Sequence, residues 1–223
     1  MRKRNVRELR PIPERKKVKF PGGNKDVIKE ISENPKICNY IDIPLQHISD
    51  KILKSMRRGT SSNQIKNLLY NLRNQIPGLV LRTTFIVGYP EETDKDFKQL
   101  CDFVEEIKFE RIGAFTYSLE ENTYAYDLED PVSTQLKNER KDFLMKIQRD
   151  ISNETNSSLV GKKLKVLVDG IEGDFYIGRS YRDAPEVDGE VLISIENQKL
   201  LSGGFYDVEV FDYNEYDLLA RVI

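Results

Sequence analysis

Few side chains in these 223 residues could carry redox or metal chemistry. There are two cysteines, Cys38 and Cys101, and one histidine, His47. Two thiols so far apart make neither a disulfide framework nor a metal-ligand cluster, and one His is not a metal site. The residues that could grip a ligand stand where apolar runs stop. Gln46 and His47 follow the run NYIDIPL, and Arg57-Arg58 precede Gly59; a guanidinium fork suits a carboxylate. Thr84, Ile86 and Gly88 lie at the end of LRTTFIVG, where Gly permits dihedrals other residues avoid and Pro90 has no N–H to donate. Arg82 inside that apolar run needs a partner and marks a site-lining position. Tyr117, Glu120 and Glu121 stand at the end of the run RIGAFTYS. Adjacent carboxylates need not face one another, so they do not make an acid–base pair.

The elements that must position these residues are legible from period and caps. Leu81 to Val87 reads as a buried strand, Gly88-Tyr89-Pro90 as a tight turn, and Thr93 with Asp96 as a cap opening a helix whose inward face is Phe97, Leu100, Cys101, Val104 and Ile107. Asn39–Leu45 and Arg111–Ser118 are further strands. Helices are expected at Asp26–Glu33, from Ser49 or Asp50 to about Met56, from Thr60 or Ser61 to about Gln75, and from about Ser133 to Ser157. The stripe of the last is Leu136, Phe143, Leu144, Ile147 and Ile151. Alternating strands and helices give a parallel βα array, whose ligands sit at the carboxyl ends of the strands. Three such strands are too few to close a barrel; a small open sheet is the competing architecture. From about Leu159 the texture changes to five short alternating runs, Lys163–Asp169, Phe175–Ser180, Glu190–Ile195, Phe205–Phe211 and Leu218–Ile223, the pattern of a small β-barrel. The chain thus divides into a basic irregular leader (1–23), a partial (βα) barrel (24–158) and a five-stranded β-barrel (159–223).

Charge is uneven. Residues 1–19 carry net +7 and residues 159–223 net −6, although the whole chain is only −2. An acidic module disfavours a phosphate backbone and favours a basic partner; nucleic acid is not expected to bind there. Carboxylates gather at its turns: Asp169, Glu172, Asp174, Asp183, Glu186 and Asp188. No apolar run reaches the ~20 residues that span a bilayer and no secretory signal opens the chain, so a cytoplasmic location is the default.

The segments YIDIPLQHISDKILKSMRRGT, LRTTFIVGYPEET, GAFTYSLEENTYA, GRSYRDAPEVDG and EYDLLARVI resemble the RimO-type ribosomal protein aspartate methylthiotransferases, a branch of the radical S-adenosylmethionine (SAM) methylthiotransferases. The resemblance covers about residues 24–223. It implies the C-terminal half of a radical-SAM barrel followed by an OB-like TRAM domain. The implied reaction places a methylthio group on the β-carbon of an aspartate in small-subunit ribosomal protein twelve, a basic protein, using SAM and two [4Fe–4S] clusters. It also implies cofactor-binding roles for Gln46, Arg58, Arg82, Thr84, Ile86, Gly88 and Tyr117: Arg58 toward the SAM carboxylate, and the strand end with Ile86 and Gly88 toward the adenine. The match has gaps. The family holds its catalytic cluster through a Cys-x3-Cys-x2-Cys run and a second cluster through three further cysteines, and neither set is in this chain. Glu91 stands where the family's turn commonly has Gly, and residues 1–23 do not read as its preceding strand. The chain is therefore expected to have no catalytic or metal-binding residue of its own and to be inactive alone. Two alternatives follow: a non-catalytic remnant docking a basic ribosomal protein through the acidic module, or a fragment of a transfer-RNA methylthiotransferase, which would call for a basic module instead.

Overall fold

The computed structural model describes residues 25–121, 123–195 and 199–223; the basic leader lies outside them. Helix α1 (Lys25–Glu33) precedes β1 (Tyr40–Gln46), α2 (Asp50–Ser55), α3 (Ser62–Gln75), β2 (Val80–Val87), α4 (Asp94–Ile107), β3 (Arg111–Thr116) and the long α5 (Thr134–Ser157). Local chemistry sets these starts. Ser61 and Thr93 each close a capping box, with Gln64 and Asp96 respectively, so that backbone N–H groups at the first turn are satisfied. The first three strands form one open parallel sheet in the order β1-β2-β3.

Period two divides the sheet. Leu81, Thr83, Phe85 and Val87 are buried under the helices, whereas Arg82, Thr84 and Ile86 face the other side. The register sets Asp42, Arg82 and Arg111 in a row near the strand starts, and Ile86 beside Phe115 near the ends. Under the sheet, Phe85, Phe103 and Phe109 pack edge to face with centroids 5.7–6.3 Å apart, the geometry that aromatic quadrupoles favour.

Helix α5 departs from its expected stripe. Phe143 is exposed, while Lys137, Arg140, Gln148, Ser152 and Asn156 are buried beside Leu144 and Ile151. The reason is polar pairing: Arg140 reaches Glu92 and Asp94, and Gln148 donates to the carbonyls of Phe109 and Glu110. Buried polar groups with partners cost little, and these lock the helix in register on β3.

Strands β4 (Lys163–Glu172), β5 (Phe175–Arg179), β6 (Val191–Ser194), β7 (Phe205–Tyr213) and β8 (Leu218–Val222) close into a barrel in the order β4-β5-β6-β8-β7. Val166, Val168, Val191, Ile193, Val208, Val210 and Ala220 fill it. The loop between β5 and β6 plugs the amino-terminal end of the open sheet. Asp188 accepts from the Tyr40 hydroxyl at 2.6 Å and lies 3.6 Å from the Arg82 guanidinium, which also meets Asp42. Asp183 accepts from Arg111 at 3.0 Å. Burial and the Asp188 bond push the Tyr40 hydroxyl far above its ordinary range. Two of the turn carboxylates that could have met a basic partner, Asp183 and Asp188, are therefore already committed within the chain, and Asp169 pairs with Arg179 at 2.9 Å.

Candidate functional site

At the opposite, carboxyl-terminal ends of β1–β3 lies a cleft of about 620 Å³. Ile86 and Phe115 lie along one side of it, and Gln46, Met56, Arg57 and Arg58 along another. Tyr89, Tyr117 and Tyr124 make an aromatic rim. Two of its residues hold left-handed backbone, Gln46 at φ 71° and Arg57 at φ 55°. Each costs of order 1 kcal/mol or more for a side chain with a Cβ, and such strain gathers at sites the surroundings over-determine. Gln46 lies two residues after Pro44, which has no N–H for the ladder, and the β1–β2 register slips between Ile43 and Gln46.

Arg58 donates to the Pro44 carbonyl at 2.6 Å, pinning the end of α2 to the end of β1. The Arg57 guanidinium lies 4.2 Å from the centroid of the Tyr124 ring. Tyr89 packs edge to face on Tyr117 at 5.3 Å, and the Tyr117 hydroxyl donates to the Ala125 carbonyl at 3.1 Å.

Behind the cleft runs a buried polar network. The Glu92 carboxylate accepts the Gly88 N–H at 2.6 Å and, less closely, the Tyr89 N–H, and meets Arg140 at 3.2 Å. Burial raises its carboxyl above the ordinary range against the lowering pull of Arg140 and the two N–H groups. Ser49 donates to Asp96 at 2.6 Å and its N–H donates to His47 Nδ1 at 3.0 Å. These bonds join the ends of β1 and β2 to α4 and α5.

Of the seven sequence-derived positions, Gln46, Arg58, Ile86 and Tyr117 come together in the cleft. Thr84 faces the same side of β2, two residues nearer the strand start. Gly88 is turned away from it: its φ is +72°, and a Cβ there would stand 2.3 Å from Lys137 Cγ. Its glycine serves the turn and the packing of α5. Arg82 is at the other end of the sheet, held by Asp42 and Asp188. Sequence reasoning passed over Tyr89, Phe115, Tyr124, Glu92 and Arg140. Only Glu92 left a signal, a carboxylate four residues after a strand-ending glycine.

An open parallel sheet with a cleft at its carboxyl ends, joined to a closed five-stranded barrel, agrees with the two family models that match. Residues 7–104 match the radical SAM superfamily and residues 160–223 the TRAM domain. The first match begins inside the stretch read as an irregular leader. Among curated proteins, the ribosomal protein uS12 methylthiotransferase RimO of Christiangramia forsetii is 48% identical over 91% of this chain and 45% of its own. The protein of that name from Caldanaerobacter subterraneus is 47% identical over 97% of this chain and 50% of its own. A solved structure of coproporphyrinogen III oxidase from Escherichia coli covers 56% of this chain and 30% of its own, with 19% identity and a TM-score of 0.46. Over about nine-tenths of its length the chain is similar to the RimO-type radical SAM methylthiotransferases, and it spans about half the length of the curated relatives it matches.

The radical SAM match implies SAM and iron–sulfur chemistry, and the chain's residues fit the two unequally. Cluster iron needs thiolates. Cys101 is buried in α4, with its thiol pushed up to about 11 first by burial and then by Asp102; Cys38 is exposed before β1. Among the described residues no group of three His, Cys, Asp or Glu side chains is placed to hold a metal. The cluster does not fit these residues. No described helix is long and apolar enough to cross a membrane.

Proposed function

We propose that this chain supplies the SAM-facing wall and the TRAM module of a methylthiotransferase acting on ribosomal protein uS12, and that alone it does not carry out the reaction. The observation that carries this reading is the cleft: an apolar and aromatic lining beside two arginines and a strained glutamine, at the strand ends where α/β folds bind ligands. Ile86 and Phe115 offer a surface for the adenine, and Arg58 with Arg57 offers charge for the carboxylate of SAM. Gln46 and Tyr117 bound the site. The cofactor, once bound, would supply the methyl group and the radical precursor; the protein's residues bind it, orient it and exclude water. In the whole protein the product would be an aspartate methylthiolated at its β-carbon, made in the cytoplasm. The iron–sulfur ligands would come from outside these 223 residues.

Calorimetric titration of the chain with SAM tests this. Ile86→Asp puts a carboxylate on the cleft wall, and we expect its affinity to fall about tenfold or more. Ile86 is half-buried on the open face, so the fold should survive the change. Equal affinity in the variant, or no binding by the parent chain, would remove the cleft from the account. The net −6 of residues 159–223 favours a basic protein over transfer RNA as partner. It also supports a second reading, in which the acidic barrel docks uS12 with no catalysis.

A further inference from the structure

Away from the cleft, a second cavity of about 880 Å³ separates the sheet from the small barrel. Three consecutive β3 residues line it, Arg111, Ile112 and Gly113. Successive side chains point to opposite faces, so a cavity that meets all three looks onto the edge of the strand. That edge is open: among the described residues β2 is the one strand paired with β3. The floor is α5, where Gln148 is 4% exposed. Its amide nitrogen donates to Phe109, Glu110 and Ser152, while its carbonyl oxygen has no partner.

The far wall belongs to the barrel and is acidic. Five carboxylates and three guanidiniums line the cavity: Asp169, Glu186, Asp188, Glu190 and Asp217 against Arg82, Arg111 and Arg179. Each arginine already has a carboxylate. Among the described residues Glu186, Glu190 and Asp217 have no cation within salt-bridge distance. Partial burial, then Asp217 and its acidic neighbours, raises the Glu190 carboxyl, as unrelieved like charge should.

We infer that this groove is a docking site for an extended basic peptide segment, which adds to the free edge of β3 while its cationic side chains meet Glu186, Glu190 and Asp217. The edge provides main-chain hydrogen bonds and the wall provides sign and steering. A nucleic acid would meet these carboxylates with like charge. The inference does not rest on SAM binding or on the identity of the methylthiolation substrate.

The test uses the full chain and a fluorescein-labelled short peptide of alternating Lys and Thr, with a Glu–Thr peptide and oligouridine as rivals. Anisotropy should show binding of the Lys peptide alone, weakening as salt rises. Hydrogen exchange should show new protection at Arg111–Gly113. Glu186→Gln with Glu190→Gln should weaken binding about tenfold, while Glu105→Gln with Asp142→Asn, exposed on α4 and α5, should leave it unchanged. Equal loss in both double variants, protection confined to other segments, preference for oligouridine, or no binding of the Lys peptide would overturn the assignment.

Discussion

Glu92→Ala should lower the stability of the chain by about 3 kcal/mol or more, read as an earlier urea midpoint at unchanged slope. Three losses combine. Arg140, 4% exposed, would keep the exposed Asp94 at 2.7 Å and the backbone carbonyl of residue 92 at 3.3 Å, and lose the buried carboxylate. The Gly88 and Tyr89 N–H groups would lose their acceptor inside the protein, at about 1–3 kcal/mol for a buried donor left unsatisfied. The turn would also lose the clamp that holds Gly88 at positive φ. Glu92→Gln keeps an acceptor oxygen without the charge, so its midpoint should fall between the two. Because the same turn holds Tyr89 against Tyr117, Glu92→Ala should weaken SAM binding as well. An unchanged midpoint would mean that the network is incidental to the fold.

The steepest pH dependence should come from His47. The imidazole is fully buried, and Nδ1 accepts the Ser49 N–H, so the neutral ring carries its hydrogen on Nε2, 3.8 Å from Glu92. Burial pulls its pKa from the ordinary 6.5 down to about 4; Asp96 opposes the shift and Arg140 adds to it. Between those values the unfolded chain binds a proton that the folded chain does not, so stability falls as pH drops from 6.5 toward 4. The loss approaches about 3 kcal/mol near the lower value. Glu92 works the other way: its raised carboxyl pKa contributes stability at low pH that is lost as pH rises through that value. His47→Gln leaves Glu92 in place. Urea midpoints of the parent should therefore fall more steeply from pH 6.5 to 4 than those of the variant. Parallel profiles would show that the imidazole titrates normally.

Periodicity and capping carried most of the architecture. Each expected helix and strand among the described residues is present within a few positions, since apolar spacing and N-caps are local signals. The stripe of α5 was not legible: polar Arg140 and Gln148 are inside because their partners, on the Gly88–Thr93 turn and before β3, are close only after folding. Arg82 shows the same limit. A charge in an apolar strand needs a partner, as the sequence indicates, but only the fold shows that Asp42 and Asp188 provide it, far from the cleft. The acidic turns read as one cluster along the chain. In space Asp169, Asp183 and Asp188 are spent on arginines, whereas Glu186 lines the groove without one among the described residues. The aromatic lining not legible in the sequence, Tyr89, Phe115 and Tyr124, comes from three separate segments with no common period.

What ties these pieces together is the proposed division of labour, in which the chain would carry a cofactor-facing wall and a docking module and leave the grip on iron to residues outside these 223. Anaerobic reconstitution of the purified chain with iron and sulfide, followed by metal analysis and electron paramagnetic resonance of the reduced sample, measures that directly. We expect iron well below one cluster per chain and no cubane signal after desalting. A stoichiometric, redox-active [4Fe–4S] centre held by these 223 residues would contradict the account.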